Sequence, residues 1–249
     1  MRYRIGDRRA AGRRGFTLVE LLVVMGIIGL LIALLMPAAN TAIIAARVAS
    51  TKHIIHGLSA GLSTFKGDWG CYPPSGGTAR KGAEALAWYL LGPTGEGWGG
   101  TTSVAPFGGS ASGTWPPYFR LESRYVQGGS TGSAPSAIFD ALQPGKKILY
   151  YRGDRTATGT TPVYAVGDND TDSTAKNGFA TVAQFNLLIM KLDPGGISRP
   201  IRTDYLLISA GPDRYYGHVK VVVSGASTTV RPATDLTDAL CDDVTNFNY

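Results

Sequence analysis

The 249-residue sequence predicts an α+β fold in which one long N-terminal helix carries a small antiparallel-sheet head. Three observations lead there: a charge-free apolar run over residues 21–46, one apolar face at helical spacing beyond Pro37, and short extended segments gathered after residue 147. At 26.3 kDa the chain can bury a core that needs neither disulfide nor metal. The net charge of +6 comes from 24 basic and 18 acidic residues, but six arginines and Asp7 fall within the first fifteen. That tail supplies +5, so everything after it carries only +1. The sequence pI of 9.3 therefore reflects a short tail, and no direct nucleic-acid binding is expected. Three histidines and two cysteines are too few and too scattered for a Cys/His zinc cluster.

Arg2, Arg4, Arg8, Arg9, Arg13 and Arg14 precede Gly15, and Phe16 opens the apolar run with no small-residue secretory cleavage site behind it. The 26 uncharged residues 21–46 exceed the roughly 20 that a helix needs to cross a bilayer. By the positive-inside rule the arginines stay cytoplasmic, and Arg47 and all that follows lie on the periplasmic side. Glu20 breaks the apolar stretch, where a lone carboxylate is costly and signals a partner. Gly26 and Gly29 permit close helix approach or simply reflect the frequency of glycine in membrane helices. Pro37 removes one N–H from the helical ladder and loosens it locally.

Ile44, Val48, Thr51, Ile55, Leu58, Leu62 and Phe65 follow at spacings of four and three, so the helix continues outward with one mostly apolar face. Unbroken from Phe16 to Phe65, it would extend roughly 75 Å. His53 and His56 lie on this stem as surface residues. The helix is expected to end near Gly67, before Gly70 and the pair Pro73-Pro74. A short helix over 79–91 follows, with Ala83, Leu86, Ala87 and Leu90 on its apolar side. Residues 92–117, rich in Gly, Ser, Thr and Pro, read as a long surface loop whose Trp98, Phe107, Trp115, Tyr118 and Phe119 anchor it to the head or present a ligand platform. Strands are expected over 147–152, 163–166, 205–209 and 219–223, with an extended piece at 228–231 and a helix over 179–190. This order describes a sheet laid against the stem, not a Rossmann-like unit.

The run Arg14-Gly15-Phe16-Thr17-Leu18-Val19-Glu20-Leu21-Leu22-Val23-Val24 closely resembles the prepilin motif of type IV pilins and type II secretion pseudopilins. The resemblance implies that a prepilin peptidase cuts after Gly15 on the cytoplasmic face and methylates the new terminus at Phe16. It implies filament assembly through Phe16, Glu20 and Pro37, with Glu20 facing a neighbouring subunit's terminal amine. The chain then divides into a leader (1–15), a transmembrane and stem helix (16–66) and a periplasmic or extracellular head (67–249). Residues 68–90 are similar to the post-stem segment of the major pseudopilin group. Ile148-Leu149-Tyr150-Tyr151-Arg152, residues 206–213 and residues 242–247 are similar to head segments of pseudopilin-like proteins from planctomycete-type bacteria. The valine- and threonine-rich stretch 218–241 departs from that pattern as an insertion.

Further expectations concern single sites. Asp213, Asp242 and Asp243 correspond to a calcium-supported C-terminal loop of the major pseudopilins, and calcium takes six to eight oxygen ligands. The run Asp168-Asn169-Asp170-Thr171-Asp172 lacks EF-hand spacing and reads as an acidic solvent loop. Cys71 and Cys241 are candidates for a disulfide formed after export. Ser209, Asp213 and His218 bring nucleophile-like residue types without an elbow or triad pattern, and Gly211-Pro212-Asp213 lacks the lysine of a P-loop, so no enzyme is expected. The function implied is a structural subunit of a type II secretion pseudopilus, anchored in the inner membrane before assembly. Its partners are like subunits, the peptidase, the inner-membrane assembly platform with its ATPase, and secretin or secreted cargo. A type IV pilin for adhesion, motility or DNA uptake and a nonpolymeric membrane-anchored binding module are the alternatives.

Overall fold

The computed structural model describes residues 16–77, 80–99, 104–110, 113–128, 134–142, 146–154, 156, 163–169, 182–192, 198–217, 219–224, 227–232 and 243–247. The chain splits into an N-terminal unit ending at Ile43 and a head unit beginning at Ile44. Helix α1 (Leu18–Trp69) contributes to both. In the N-terminal unit every described side chain is exposed, including Leu30 at 69% and Leu34 at 74%. A helix apolar on all sides does not persist in water; its surroundings must be lipid or other helices. It is long and apolar enough to cross a membrane. Its helical assignment continues through Pro37, and one turn later Thr41 Oγ1 donates to the Ala38 carbonyl at 2.9 Å.

In the head unit the same helix is amphipathic. Thr51, Ile54, Ile55, Leu58, Gly61, Leu62 and Phe65 are buried, while Lys52, His53, His56, Ser63 and Thr64 face solvent. The apolar face expected from the sequence is buried from Thr51 onward, whereas Ile44 stays exposed. The helix runs two residues beyond Gly67 and stops where Gly70 takes a φ of 74° and donates to the Lys66 carbonyl at 2.8 Å. Only glycine adopts that left-handed turn without strain.

Helix α2 (Gly82–Leu91) starts later than expected, at a Gly82 whose φ is 39°, and buries Ala83, Leu86, Ala87 and Leu90. The following stretch is not the featureless loop its composition suggests. It holds a two-rung hairpin of β1 (Trp98–Gly99) and β2 (Thr114–Trp115), with Trp98 paired to Trp115. Trp98 is 1% exposed and donates its ring N–H to the Tyr89 carbonyl at 3.0 Å, so the aromatics anchor this segment to the head. Next come β3 (Val126–Gln127), β4 (Ala137–Ile138) and β5 (Leu149–Arg152). β5 is shorter than expected because Lys147 bridges Phe139 and the Ile148 amide donates to the Ile138 carbonyl, turning both residues toward β4.

Residues 163–166 do not form a strand. Val163 and Tyr164 lie in a bend, Val166–Asp168 makes a 3₁₀ turn, and Tyr164 is fixed through its hydroxyl to Thr203. Helix α3 (Val182–Ile189) ends one residue earlier than expected because Met190 opens β6 (Met190–Leu192), which pairs with β7 (Ser198–Pro200). β8 (Tyr205–Ser209) has the expected limits. β9 (Val219–Ser224) and β10 (Ser227–Pro232) form an antiparallel ribbon within the 218–241 insertion, and β11 (Val244–Thr245) closes the described chain.

The main sheet runs β11-β8-β5, antiparallel throughout. Alternate residues of its strands enter two hydrophobic clusters, as period-two geometry requires. Tyr150, Leu207 and Val244 join the stem residues Ile55, Leu58, Leu62 and Phe65 together with Leu86 and Leu90 of α2. Leu149, Tyr151, Leu206 and Ile208 join Phe185, Leu188 and Ile189 of α3 together with Tyr216. The sheet is thus covered on both faces. The outer edge of β5 is closed by side chains: the Arg152 amide donates to Ser75 Oγ at 2.9 Å, and Asn169 Nδ2 donates to the Tyr150 carbonyl at 2.9 Å. Satisfying those groups removes a template for stray strand pairing.

A groove in the stem seats the segment after β2. A Cβ on Gly57 would lie 2.2 Å from the Phe119 ring, and one on Gly61 would lie 3.0 Å from the Tyr118 carbonyl oxygen, whereas Gly67 has open space. Gly57→Val should therefore destabilise the head by about 1–3 kcal/mol, the usual cost of overpacking. Gly67→Ala should stabilise it by about 0.5–1 kcal/mol through helix propensity. Denaturant melts of the two variants check both signs.

Candidate functional site

The N-terminal turn of α1 is built by two side chains. Thr17 precedes the first helical residue, and Glu20 sits three residues on. Glu20 Oε2 accepts from the Thr17 backbone N–H at 2.9 Å and from Thr17 Oγ1 at 2.8 Å, while the Glu20 N–H donates to Thr17 Oγ1 at 3.2 Å. This reciprocal capping box satisfies helix-start donors that would otherwise lack partners. The signal Thr-x-x-Glu stands in the sequence, but reading Glu20 only as an acid in an apolar run misses its local role. Both bonds end on Oε2, which leaves Oε1 outside the capping box. Phe16 is 72% exposed, Gly15 lies outside the described residues, and Pro37 lies in the exposed apolar helix.

The acidic candidates of the head divide differently. Asp213 Oδ1 accepts from the Tyr215 amide at 2.8 Å, and Asp243 Oδ2 accepts from the Gly217 amide at 2.7 Å. The two carboxylates therefore meet the same turn, where Arg214 takes a left-handed φ of 69°. Asp242 lies outside the described residues. Among the described residues no group of three or more His, Cys, Asp or Glu could hold a metal ion. His218 and Cys241 also lie outside them, and so does the Cys71–Cys241 pairing. Ser209 Oγ is engaged with Asp140 Oδ2 at 2.5 Å.

Asp168 and Asn169 correct the expectation of an acidic solvent loop. Asn169 is buried; its Oδ1 accepts from the Ala83 amide at 2.9 Å, capping α2 from 86 residues away, while its Nδ2 holds β5. Asp168 Oδ2 accepts from Ser75 Oγ, and burial pushes its carboxyl above the ordinary carboxylate range against the pull of Ser75 and Lys81. Residues 170–172 lie outside the described residues. No local pattern announces a cap supplied from so far along the chain.

A cleft of about 420 Å³ opens among Lys66, Cys71, Tyr72, Arg152, Asp154 and Asp204. Its charges answer one another, with Lys66 Nζ 3.3 Å from Asp204 Oδ2 and 4.6 Å from the centre of the Tyr72 ring.

Comparison with known proteins bears on the N-terminal site. Residues 11–36 match the prokaryotic N-terminal methylation motif. A fimbrial protein of Moraxella nonliquefaciens is 34% identical over 74 residues, covering 30% of this chain and 48% of the relative. The chain thus spans about half the length of that curated relative. No solved structure matches.

Thr17→Ala should remove the cap and speed amide exchange at residues 18–20 several-fold in micelles, leaving the rest of α1 unchanged. Hydrogen exchange resolved by residue measures it.

Proposed function

We propose that this chain, type IV pilin-like in its N-terminal segment, is a structural subunit of a type II secretion pseudopilus. The observation that carries the reading is Glu20, a carboxylate four residues beyond Phe16 at the start of an apolar helical stretch that is exposed on all sides through residue 46. Cleavage after Gly15 by the prepilin peptidase would remove the arginine-rich leader, and with it the charge that anchors the terminus in the cytoplasm. It would also create an ammonium at Phe16. In lipid or in a bundle of like helices, that cation and the Glu20 carboxylate of a neighbouring copy stabilise one another, and their pairing favours one axial register. Oε2 can keep the helix start capped while Oε1 meets the incoming ammonium. The apolar helix supplies cohesion, and Gly26 and Gly29, where an added Cβ would meet nothing beyond the backbone of their own helical turns within 4 Å, permit close approach of neighbours.

The head faces outward in this reading, where it meets neighbours, secretin or cargo. The inner-membrane platform and its ATPase supply the work of extraction. The name of the Moraxella relative favours a second reading, a type IV pilus exposed on the cell surface. Calcium belongs to the same proposal as support for the C-terminal turn, with Asp213, Asp242 and Asp243 as its ligands; the convergence of Asp213 and Asp243 on one turn fits that role. The disulfide between Cys71 and Cys241 would tie the tail to the post-stem turn.

Gly15→Ala should leave uncleaved precursor in membranes, and Glu20→Ala should be processed and methylated yet fail to enter filaments. Intact mass and N-terminal sequencing of membrane and sheared-filament fractions read both outcomes, and filaments formed normally by Glu20→Ala would refute the polymer reading. Filaments confined to the periplasm point to secretion, and long surface filaments point to the pilus. Calcium should raise the melting temperature of the head more than magnesium does, and Asp243→Ala should abolish the difference.

A further inference from the structure

Buried polar and charged residues gather where the stem meets the open end of the sheet. Thr51 and Ser209 are fully buried, Asp140 is 6% exposed and Lys146 is 8% exposed. Their bonds join three elements. The Ala141 amide donates to Thr51 Oγ1 of the stem at 3.1 Å, Ser209 Oγ at the end of β8 donates to Asp140 Oδ2 at 2.5 Å, and the Leu142 amide reaches Asp140 Oδ1 at 3.2 Å. The Asp140 amide donates to the Lys146 carbonyl at 3.1 Å and ties these two residues together. Asp140 is the knot of this junction.

Its chemistry suits a carboxylic acid better than a carboxylate. A buried carboxylate needs several good donors to replace water, and Asp140 has one short hydroxyl contact and one long amide contact. A protonated carboxyl needs a single acceptor, which Ser209 Oγ supplies at the same distance. The charged groups that act on it, Lys146 and Arg214 of the 211–217 turn, both attract the anion. Tyr216, on the same turn, faces Asp140 and Asp243, which with its burial hold its phenol well above the ordinary range. The stem presents the uncharged Thr51.

We propose that Asp140 is an acid-tightened clasp: the junction of the stem, β8 and residues 140–142 holds more firmly when this carboxyl carries a proton, so the head is stabilised as the pH around it falls. The direction follows from burial, which outweighs Ser209, Leu142, Lys146 and Arg214 in raising the carboxyl above the ordinary carboxylate range. The folded state then holds the proton more tightly than the unfolded chain does. The resulting stabilisation is fully present below the ordinary carboxylate range and is lost as pH rises through the raised folded value. A salt-bridged aspartate would behave in the opposite way.

Thermal melts of the full chain in detergent micelles, followed by tryptophan fluorescence from pH 4 to pH 8, compare wild type with Asp140→Asn. The neutral amide should melt close to wild type at pH 4 and on the order of 2–4 °C or more above it at pH 8. An Asp140→Asn melting temperature below wild type at pH 8, or a difference independent of pH, would overturn the clasp. Should the variant not fold, exchange at the Ala141 and Leu142 amides of wild type, corrected for intrinsic rate, reports the same equilibrium. Protection that grows toward acid supports the clasp, and protection that is flat or grows toward base refutes it.

Discussion

The apolar face that α1 turns toward the sheet is the contact on which the head depends. Ile55, Leu58, Leu62 and Phe65 reach exposures of 1% or less there. Each such side chain contributes about 1.5–3 kcal/mol when fully buried. Among the described residues the main sheet is three strands wide, with a two-residue β11 at one side, and a sheet that small has little stability of its own. With the stem and α2 on one face and α3 on the other, its central strand β8 is buried from Leu206 to Ser209. The same helix has no such cover before Arg47, where its apolar residues are exposed. One helix is thus written for two surroundings, the head's own core and a nonaqueous medium that the single chain does not provide.

Polar groups set the precision of this arrangement. The buried polar residues of the head fall into two groups, one around Ser75 and Asn169 at the β5 edge and one around Thr51, Asp140, Lys146 and Ser209 at the other end of the sheet. An aromatic cluster stands at the end of the stem, with Phe65 5.1 Å from Tyr118 and Trp69 5.2 Å from Trp115, ring centre to ring centre. Trp69 donates to the Tyr118 hydroxyl, which donates onward to Asp68, and burial raises that phenol to about 12. Apolar burial holds the layers together, and these bonds choose one register for them.

What could be read in advance follows from the range of each signal. The stem face was legible because spacings of three and four repeat along it, and β8 was legible because an apolar run between Asp204 and Gly211 suits a central strand. The hairpin of β1 and β2 was hidden because it has only two rungs and lies among glycines, yet Trp98 makes it part of the core. Residues 163–166 have strand composition but are held by the Tyr164 hydroxyl instead of a ladder. At the N-terminal site, Glu20 was legible as an acid needing a partner. Its capping bond to Thr17 was equally local and was obscured by the stronger apolar pattern. Asn169 capping α2 was beyond reach, since it depends on chain folding across 86 residues.

The central claim is that Glu20 answers to two partners, its own Thr17 within a chain and the Phe16 amine of the next copy within a filament. Solid-state NMR on filaments assembled from a mixture of copies labelled either with ¹⁵N-phenylalanine or with ¹³C-glutamate tests it most directly. The account predicts a cross-peak between the Phe16 amine nitrogen and the Glu20 carboxyl carbon, which in such a mixture can arise only between copies. Well-ordered mixed filaments lacking that contact, with the Glu20 carboxyl seen only against Thr17, would contradict it.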